Sequence, residues 1–297
     1  MSFFRSLGRN RKAVVGLVIV GAFALMALLG PLLVGDPLAY VAPALQPPSA
    51  DQWLGTTGQG QSVLAQTIAG SQKTLGIAAF AGFGVVAVGA LVGGAAGYFG
   101  GRVDDVLTLL INVFLVMPGL PLMVVLAAWL PPGPFTMVGV LVATGWAWNA
   151  RVFRSQALSI RKRDFVAAAT VSGEGALRII VSEILPNMAS LLTSSFIGAT
   201  VYAIGAQVGL EFLGLGDLAS VTWGTNLYWS ANDSALLTGA WWTFVPTGGC
   251  VALVAFGLSL VNFGIDEVTN PRLAAERGVM VPGEAPKSTP VLHRGPA

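Results

Sequence analysis

From Gly76 to Gly101 the chain reads GIAAFAGFGVVAVGALVGGAAGYFGG, an uncharged apolar stretch. It is long enough to cross a bilayer hydrocarbon core, which takes about 20 helical residues. Within it Gly89, Gly93 and Gly97 recur every fourth residue, so they share one helical face and let another backbone approach closely. Such a face suits either static helix packing or the lining of a moving seam or pore. Comparable apolar runs lie at 13–34, 74–99, 106–130, 184–210 and 239–265, with a shorter one at 135–150. The pattern predicts an all-α membrane protein with six transmembrane helices.

Composition agrees. Of 297 residues, 54% are hydrophobic and 10% charged, whereas a soluble domain carries about 25% charged residues. Fourteen acids and sixteen bases are too few to coat a soluble globule of this size, which excludes a soluble enzyme, a nucleic-acid binder and a disordered chain. Cys250 and His293 each stand alone in their residue type. They therefore supply no intrachain disulfide, no cluster of metal ligands and no histidine-based catalytic triad.

Charge placement gives an orientation. The first apolar run follows Arg5, Arg9, Arg11 and Lys12 and exceeds the roughly 7–15 residues of a signal-peptide core, so it is expected to remain as an anchor. With a cytoplasmic N-terminus, fifteen of the sixteen bases fall on the inside and Lys73 alone lies outside. Loop Lys and Arg set membrane orientation in this sense. The outside then holds a loop at 35–73, a Pro-Pro-Gly turn at 131–133 and a polar stretch at 212–238. On the inside are a turn at Gly100–Asp105, a basic loop at 151–183 and a Pro- and Gly-rich tail from Ala274 that reads as disordered. Trp146 and Trp148 suit an interfacial belt, with Arg151 marking the exit of the short span.

Four further features carry function. Pro118 and Pro121 interrupt the third run, which reads either as a kink or as a transport path. QWLGTTGQGQSVLAQTIAG from Gln52 is glycine-rich but lacks the Gly-Lys-Ser/Thr of a phosphate-binding loop. In the fifth run Thr200, Ile204, Gln207 and Glu211 share one helical face. That face reads as a lining of the substrate path, or, since Glu211 falls near the outer boundary, as a solvated helix end. The loop RVFRSQALSIRKRDFVAAATVSGEGALRIIVSEILPN from Arg151 to Asn187 is long for a connection between helices. Asp164 is a candidate cap for a short helix, and Gly173 and Gly175 can end it. This loop suits either anionic lipid headgroups or a cytoplasmic protein partner.

The loop resembles the Glu-Ala-Ala loop of the membrane subunits of bacterial ABC importers: Glu-Ala-Ala, three residues, Gly, nine residues, Ile, any residue, Leu-Pro. Ala167, Ala168 and Ala169 fill the first places, Gly173 the next, and Leu185 and Pro186 the last; Ala167 replaces the usual Glu, and Glu183 the Ile. WLGTTGQGQSVLAQTIAGSQKTL from Trp53 is similar to the segment before the second helix of dipeptide/oligopeptide-type permeases, with Thr57 and Gln61 where Asp and Arg are usual. GYFGGRVDD from Gly97, EFLGLGD from Glu211, TWG from Thr222 and DEVTNPRL from Asp266 resemble further segments of that subfamily, over about residues 1–273. The resemblance implies the type I ABC importer permease fold, in the subunit with a cytoplasmic N-terminus and six spans.

It further implies a chain that is not itself an enzyme and holds no cofactor. ATP and Mg would sit on two cytoplasmic ATPase subunits. A homologous second permease subunit would complete a heterodimer, an extracytoplasmic solute-binding protein would deliver the solute, and the lipid bilayer of the bacterial cytoplasmic membrane would hold both termini inside. Residues 1–72 would form an N-terminal anchor and outer loop, 73–273 the core permease with its coupling loop at 151–187, and 274–297 the tail. The ATPase would be engaged by a helix at about Asp164–Gly175, with Asp164, Ala167, Ala168, Ala169, Gly173, Glu174, Gly175, Arg178 and Pro186 as the coupling residues. Peptides are the implied solute. NFGIDE from Asn262 looks like the corresponding piece of related permeases used for oligosaccharides, which stays as an alternative. An ion-driven secondary transporter would need ionisable groups near the membrane midplane, where the runs offer essentially none, and a passive scaffold would leave the basic loop idle.

Overall fold

Asn10 opens the first helix: its side chain accepts a hydrogen bond from the Lys12 amide at 3.0 Å, filling one of the orphan donors of a helix start. That helix, α1 (Arg11–Leu33), is the first element of a computed structural model describing residues 10–269. The expected tail at 274–297, His293 and the bases beyond 269 or before 10 lie outside the described residues.

The second helix, α2 (Val63–Phe99), is 37 residues long. It begins at Val63, not near 74, so the expected boundary at 72–73 falls inside a helix. Hydropathy misplaces this start because the added turns carry Gln66, Thr67, Ser71 and Thr74. These are buried, and Thr67 and Thr74 bond a neighbouring element instead of water. Glycine positions 89, 93 and 97 face the next long helix, α5 (Pro134–Ile160). A Cβ at Gly89 would sit 2.9 Å from Asn149 Cβ, and one at Gly97 would sit 2.6 Å from Ala157 Cβ. The stripe therefore packs two helices of one subunit at backbone contact, which supports the static reading.

Between them the third expected span is broken into α3 (Gly101–Val116) and α4 (Gly119–Trp129), bent by 88°. The break falls at Pro118, which has no amide to continue the ladder and restricts Met117 to extended geometry. Pro121 sits in the first turn of α4, where a missing amide is harmless. The expected sixth span at 135–150 is only the outer part of α5, which continues to Ile160. Arg151 is thus mid-helix, and the helix continues for nine residues beyond it. Trp146 is buried against Phe114, ring centroids 5.1 Å apart, and only Trp148 is exposed as a belt residue would be.

The inner loop forms α6 (Asp164–Val171) and α7 (Ala176–Arg178). A π-helical segment (Ile179–Ile184) and a 3-10 turn (Pro186–Met188) then lead into α8 (Ala189–Phe212). After it comes α9 (Trp223–Asn232), and α10 (Val245–Thr269) returns across the molecule. By length and composition four segments are able to cross a membrane: α1, α2, Ala176–Phe212 and Trp241–Glu267; the bent α3–α4 pair makes five. Helix α5 has 27 residues but falls outside that count, carrying Asn149, Arg151 and Arg154. Its length, roughly 40 Å at helical rise, still suits the sixth crossing. Helix α2 is central, packed along α5 and α8, while α1 lies against α10. There, a Cβ at Gly16 would sit 2.7 Å from the Gly257 carbonyl oxygen.

Candidate functional site

Helix α6 is built to stop abruptly. Gly173 has φ +78°, the left-handed geometry that glycine adopts without steric cost. The Glu174 amide reaches back to the Ala169 carbonyl (3.1 Å) and the Gly173 amide to Thr170 (3.1 Å), closing the helix in the manner of a Schellman turn. Two local expectations change. Arg163, not Asp164, holds the N-cap position, without a side-chain bond; Asp164 lies in the first helical turn, where its charge favours the helix dipole. Gly175 has φ −69°, so the turn requires glycine at 173 alone.

Val166 is the fully buried residue of α6, and Ala169 packs beside it. Val166 shares a cluster with Phe153, Ile160, Ile179 and Ile184. Ala167 and Ala168 are exposed and Ala169 half-buried. Val171 and Leu177 are 89% and 72% exposed, apolar side chains that the described residues leave largely uncovered. Glu174 pairs with Arg178 at 3.6 Å, stiffening the bend after Gly173. Glu183 is half-buried, and the fully buried isoleucine is the next residue, Ile184. Pro186 opens the 3-10 turn that passes the chain into α8, a position where its missing amide is tolerated.

The expected path face lies largely inside the subunit, although Thr200 and Ile204 also border a cavity of about 490 Å³ and Glu211 one of about 440 Å³. Thr200, Ile204, Gln207 and Glu211 do share a face, and all four are buried: Gln207 is 0% and Glu211 3% exposed. Thr200 returns its hydroxyl to the Phe196 carbonyl at 2.8 Å, and Ile204 joins the main apolar cluster. Glu211 accepts from Gln207 Nε2 (3.0 Å) and from Thr222 Oγ1 (2.6 Å). The solvated end expected for Glu211 is instead a buried carboxylate satisfied by hydrogen bonds, because α9 folds back over the end of α8.

The opposite face of α8 carries Leu191, Ser194, Ser195, Gly198 and Tyr202, which line a cavity of about 800 Å³. Thr144, Trp148 and Asn149 of α5 face it too, as do Met117, Gly119 and Leu120 at the α3–α4 elbow. Its volume falls in the range of ligand sites, about 300–1,000 Å³. The legible signal was a run of small residues, Ser194, Ser195 and Gly198, on one face; the larger polar groups on the other face outweighed it. Cysteines placed at 195 and 198 of the assembled protein, in a Cys250→Ser background, are expected to react with a water-soluble maleimide, and those at 204 and 207 to stay unlabelled. Labelling of the second pair alone would return the path to the face first expected.

The outer motifs lock onto α2. Thr222 caps α9 in a reciprocal pair with Thr225, and Trp223 is fully buried. Its indole donates to the Thr67 carbonyl (2.9 Å) and its amide to Thr74 Oγ1 (3.0 Å). In the preceding segment Thr57 Oγ1 accepts from the Gln61 amide at 3.2 Å and Gln61 Nε2 donates to the Leu38 carbonyl at 3.2 Å. These neutral side chains therefore hold the turn together without the charges usual at their positions. Lys73, the base expected on the outside, donates to Ser220 Oγ at 2.7 Å.

Residues 86–273 match the family described as the binding-protein-dependent transport system inner membrane component. Residues 2–48 match the N-terminal TM domain of oligopeptide transport permease C. The chain is similar to the dipeptide transport system permease protein DppC of Bacillus subtilis (strain 168), at 32% identity over 91% of this chain and 85% of that protein. It is also similar to the oligopeptide transport system permease protein OppC of Mycobacterium bovis (strain ATCC BAA-935 / AF2122/97), at 34% identity over 89% of this chain and 91% of that protein. OppC of Bacillus subtilis (strain 168) is 30% identical over 91% of this chain and 88% of that protein. The chain thus belongs to the binding-protein-dependent transport system inner membrane components, the permease subunits of ABC importers with the type I fold.

Proposed function

We propose that this permease forms one half of the translocation path of an ATP-driven peptide importer and that α6, with the turn at Gly173, is its docking element for a cytoplasmic ATPase. The observation that carries this reading is the state of α6 and the turn after it: Val166 is buried and Ala169 packs beside it, while Ala167, Ala168 and Val171 of α6 and Leu177 of α7 are exposed, with Arg161, Lys162 and Arg163 just before the helix. Asp164, Ala169, Glu174, Gly175, Arg178 and Pro186 shape the arm on which that surface is presented. A homologous permease subunit completes the path, and ATP and Mg act on two ATPase subunits. An extracytoplasmic binding protein delivers solute, and both termini face the cytoplasm. Nucleotide-driven closure of the ATPases displaces α6 and switches the cavity between inward- and outward-facing states.

Peptide as the solute class is supported by the names of the relatives, which transport dipeptides or oligopeptides. The test is co-purification of the complex, binding of peptide and oligosaccharide panels to its solute receptor, and uptake into proteoliposomes. ATP-dependent uptake of short peptides is expected. Uptake of oligosaccharides alone would reassign the solute, and uptake driven by an ion gradient without ATP would contradict the importer mechanism.

A further inference from the structure

Apolar contacts hold α3 over its second half, where Ile111, Phe114 and Leu115 pack with Trp146 of α5. Ile111 is the one buried side chain of α3, and its start follows Gly100 and Gly101 at φ +66° and +52°, while its far end is the 88° break before α4. Its first half, where Val103, Val106 and Leu109 are exposed, needs another tie, and a polar ladder along α5 supplies it. Arg154 grips Asp104 with two nitrogens, Nη2 to Oδ2 at 2.6 Å and Nε to Oδ1. Thr108 donates to the same carboxylate at 3.0 Å, and Arg151 donates to Asn112 Oδ1 at 2.8 Å. Asp104, Thr108 and Asn112 are spaced by four, so one face of α3 carries the whole ladder. Bidentate guanidinium–carboxylate pairs are strong and fix relative orientation. The pair is largely sheltered, with side chains 29% and 16% exposed, so water competes with it less than at an open surface.

The other end of each helix gives the ladder its meaning. Helix α5 ends at Ile160, just before the docking helix α6, and α3 ends at the elbow whose Met117, Gly119 and Leu120 line the 800 Å³ cavity. We propose that the Asp104–Arg154 pair makes the inner halves of α3 and α5 a single lever, so that displacement of α6 is delivered to the elbow as movement of the cavity wall. Asp104 and Arg154 are positioning residues in this device. The proposal rests on the docking role given to α6 above.

Two probes separate the parts. In the assembled transporter with Cys250→Ser, Ser172→Cys reports on the docking turn and Leu120→Cys on the elbow. Each is labelled with a membrane-impermeant maleimide in inverted vesicles, with and without ATP, Mg and vanadate. Both probes are expected to change reactivity on nucleotide trapping. In Asp104→Asn the response at 172 should persist while that at 120 falls by about fivefold or more, the elbow's population no longer being tied to the nucleotide state. The exchanged pair Asp104→Arg with Arg154→Asp should restore it. An undiminished response at 120 in Asp104→Asn, its loss together with the response at 172, or failure of the exchanged pair would overturn the lever. A parent complex whose 172 probe ignores nucleotide would instead count against docking by α6.

Discussion

Gly93→Val is expected to eliminate the assembled permease. A Cβ on Gly93 would run into the Ala150 carbonyl oxygen, with Arg154 N at 2.9 Å and the Ala150 carbonyl carbon at 3.1 Å. All three are backbone atoms of α5, so no rotamer change relieves the clash; α2 and α5 must separate. Overpacking of a well-packed seam costs about 1–3 kcal/mol even where side chains can give way, and here they cannot. Separation would also loosen Asn149 and Ala157, which face Gly89 and Gly97 along the same seam. The expected result is loss of the protein from detergent extracts and a collapse of its melting transition. Gly139→Ala is the control, since nothing lies within 4 Å of a Cβ there and alanine is a better helix former than glycine. Normal yield and melting of Gly93→Val would refute the close-packed α2–α5 seam on which the fold rests.

Gly173→Asp is expected to behave in the opposite way, leaving the fold and removing the function. Among the described residues a Cβ at Gly173 meets nothing within 4 Å, so it clashes with none of them. The left-handed φ costs a non-glycine residue about 1–2 kcal/mol, and less for Asp or Asn, whose short polar side chains tolerate that geometry. Insertion and assembly should therefore survive. What changes is the exposed end of α6, where a carboxylate would stand on the surface offered to the ATPase. Transport is expected to fall at least about tenfold, equivalent to about 1.4 kcal/mol of coupling, while ATP hydrolysis continues without responding to solute. Gly173→Asn separates charge from bulk, since it keeps the turn and adds no charge. Normal solute-stimulated uptake by Gly173→Asp would count against α6 as the coupling element.

The sequence made some of this legible and hid the rest for identifiable reasons. Long uncharged runs marked α1, α8 and α10, because hydrocarbon tolerates no other spanning structure from a single segment. The glycine stripe marked the α2–α5 seam, and Gly173 the stop of α6. The outer turns of α2 were hidden, since Gln66, Thr67 and Thr74 are polar residues whose bonds go to other parts of the chain. The second part of α5 was hidden because Arg151 read as the end of the apolar run, whereas the helix continues and Asn112 and Asp104 of α3 receive Arg151 and Arg154. On α8, residue polarity pointed away from the 800 Å³ cavity. Gln207 and Glu211 are polar because they bind Thr222 and each other, and the cavity is lined instead by small residues that leave room.

The most direct measurement places a benzophenone maleimide on Ala168→Cys, in the Cys250→Ser background, and irradiates the assembled transporter during ATP turnover. Docking by α6 predicts a covalent adduct between this permease and an ATPase subunit, with no such adduct from the same probe on Gly139→Cys at the far end of α5. A hydrolysing, solute-importing complex in which the probe at 168 reaches only lipid or water would contradict the account.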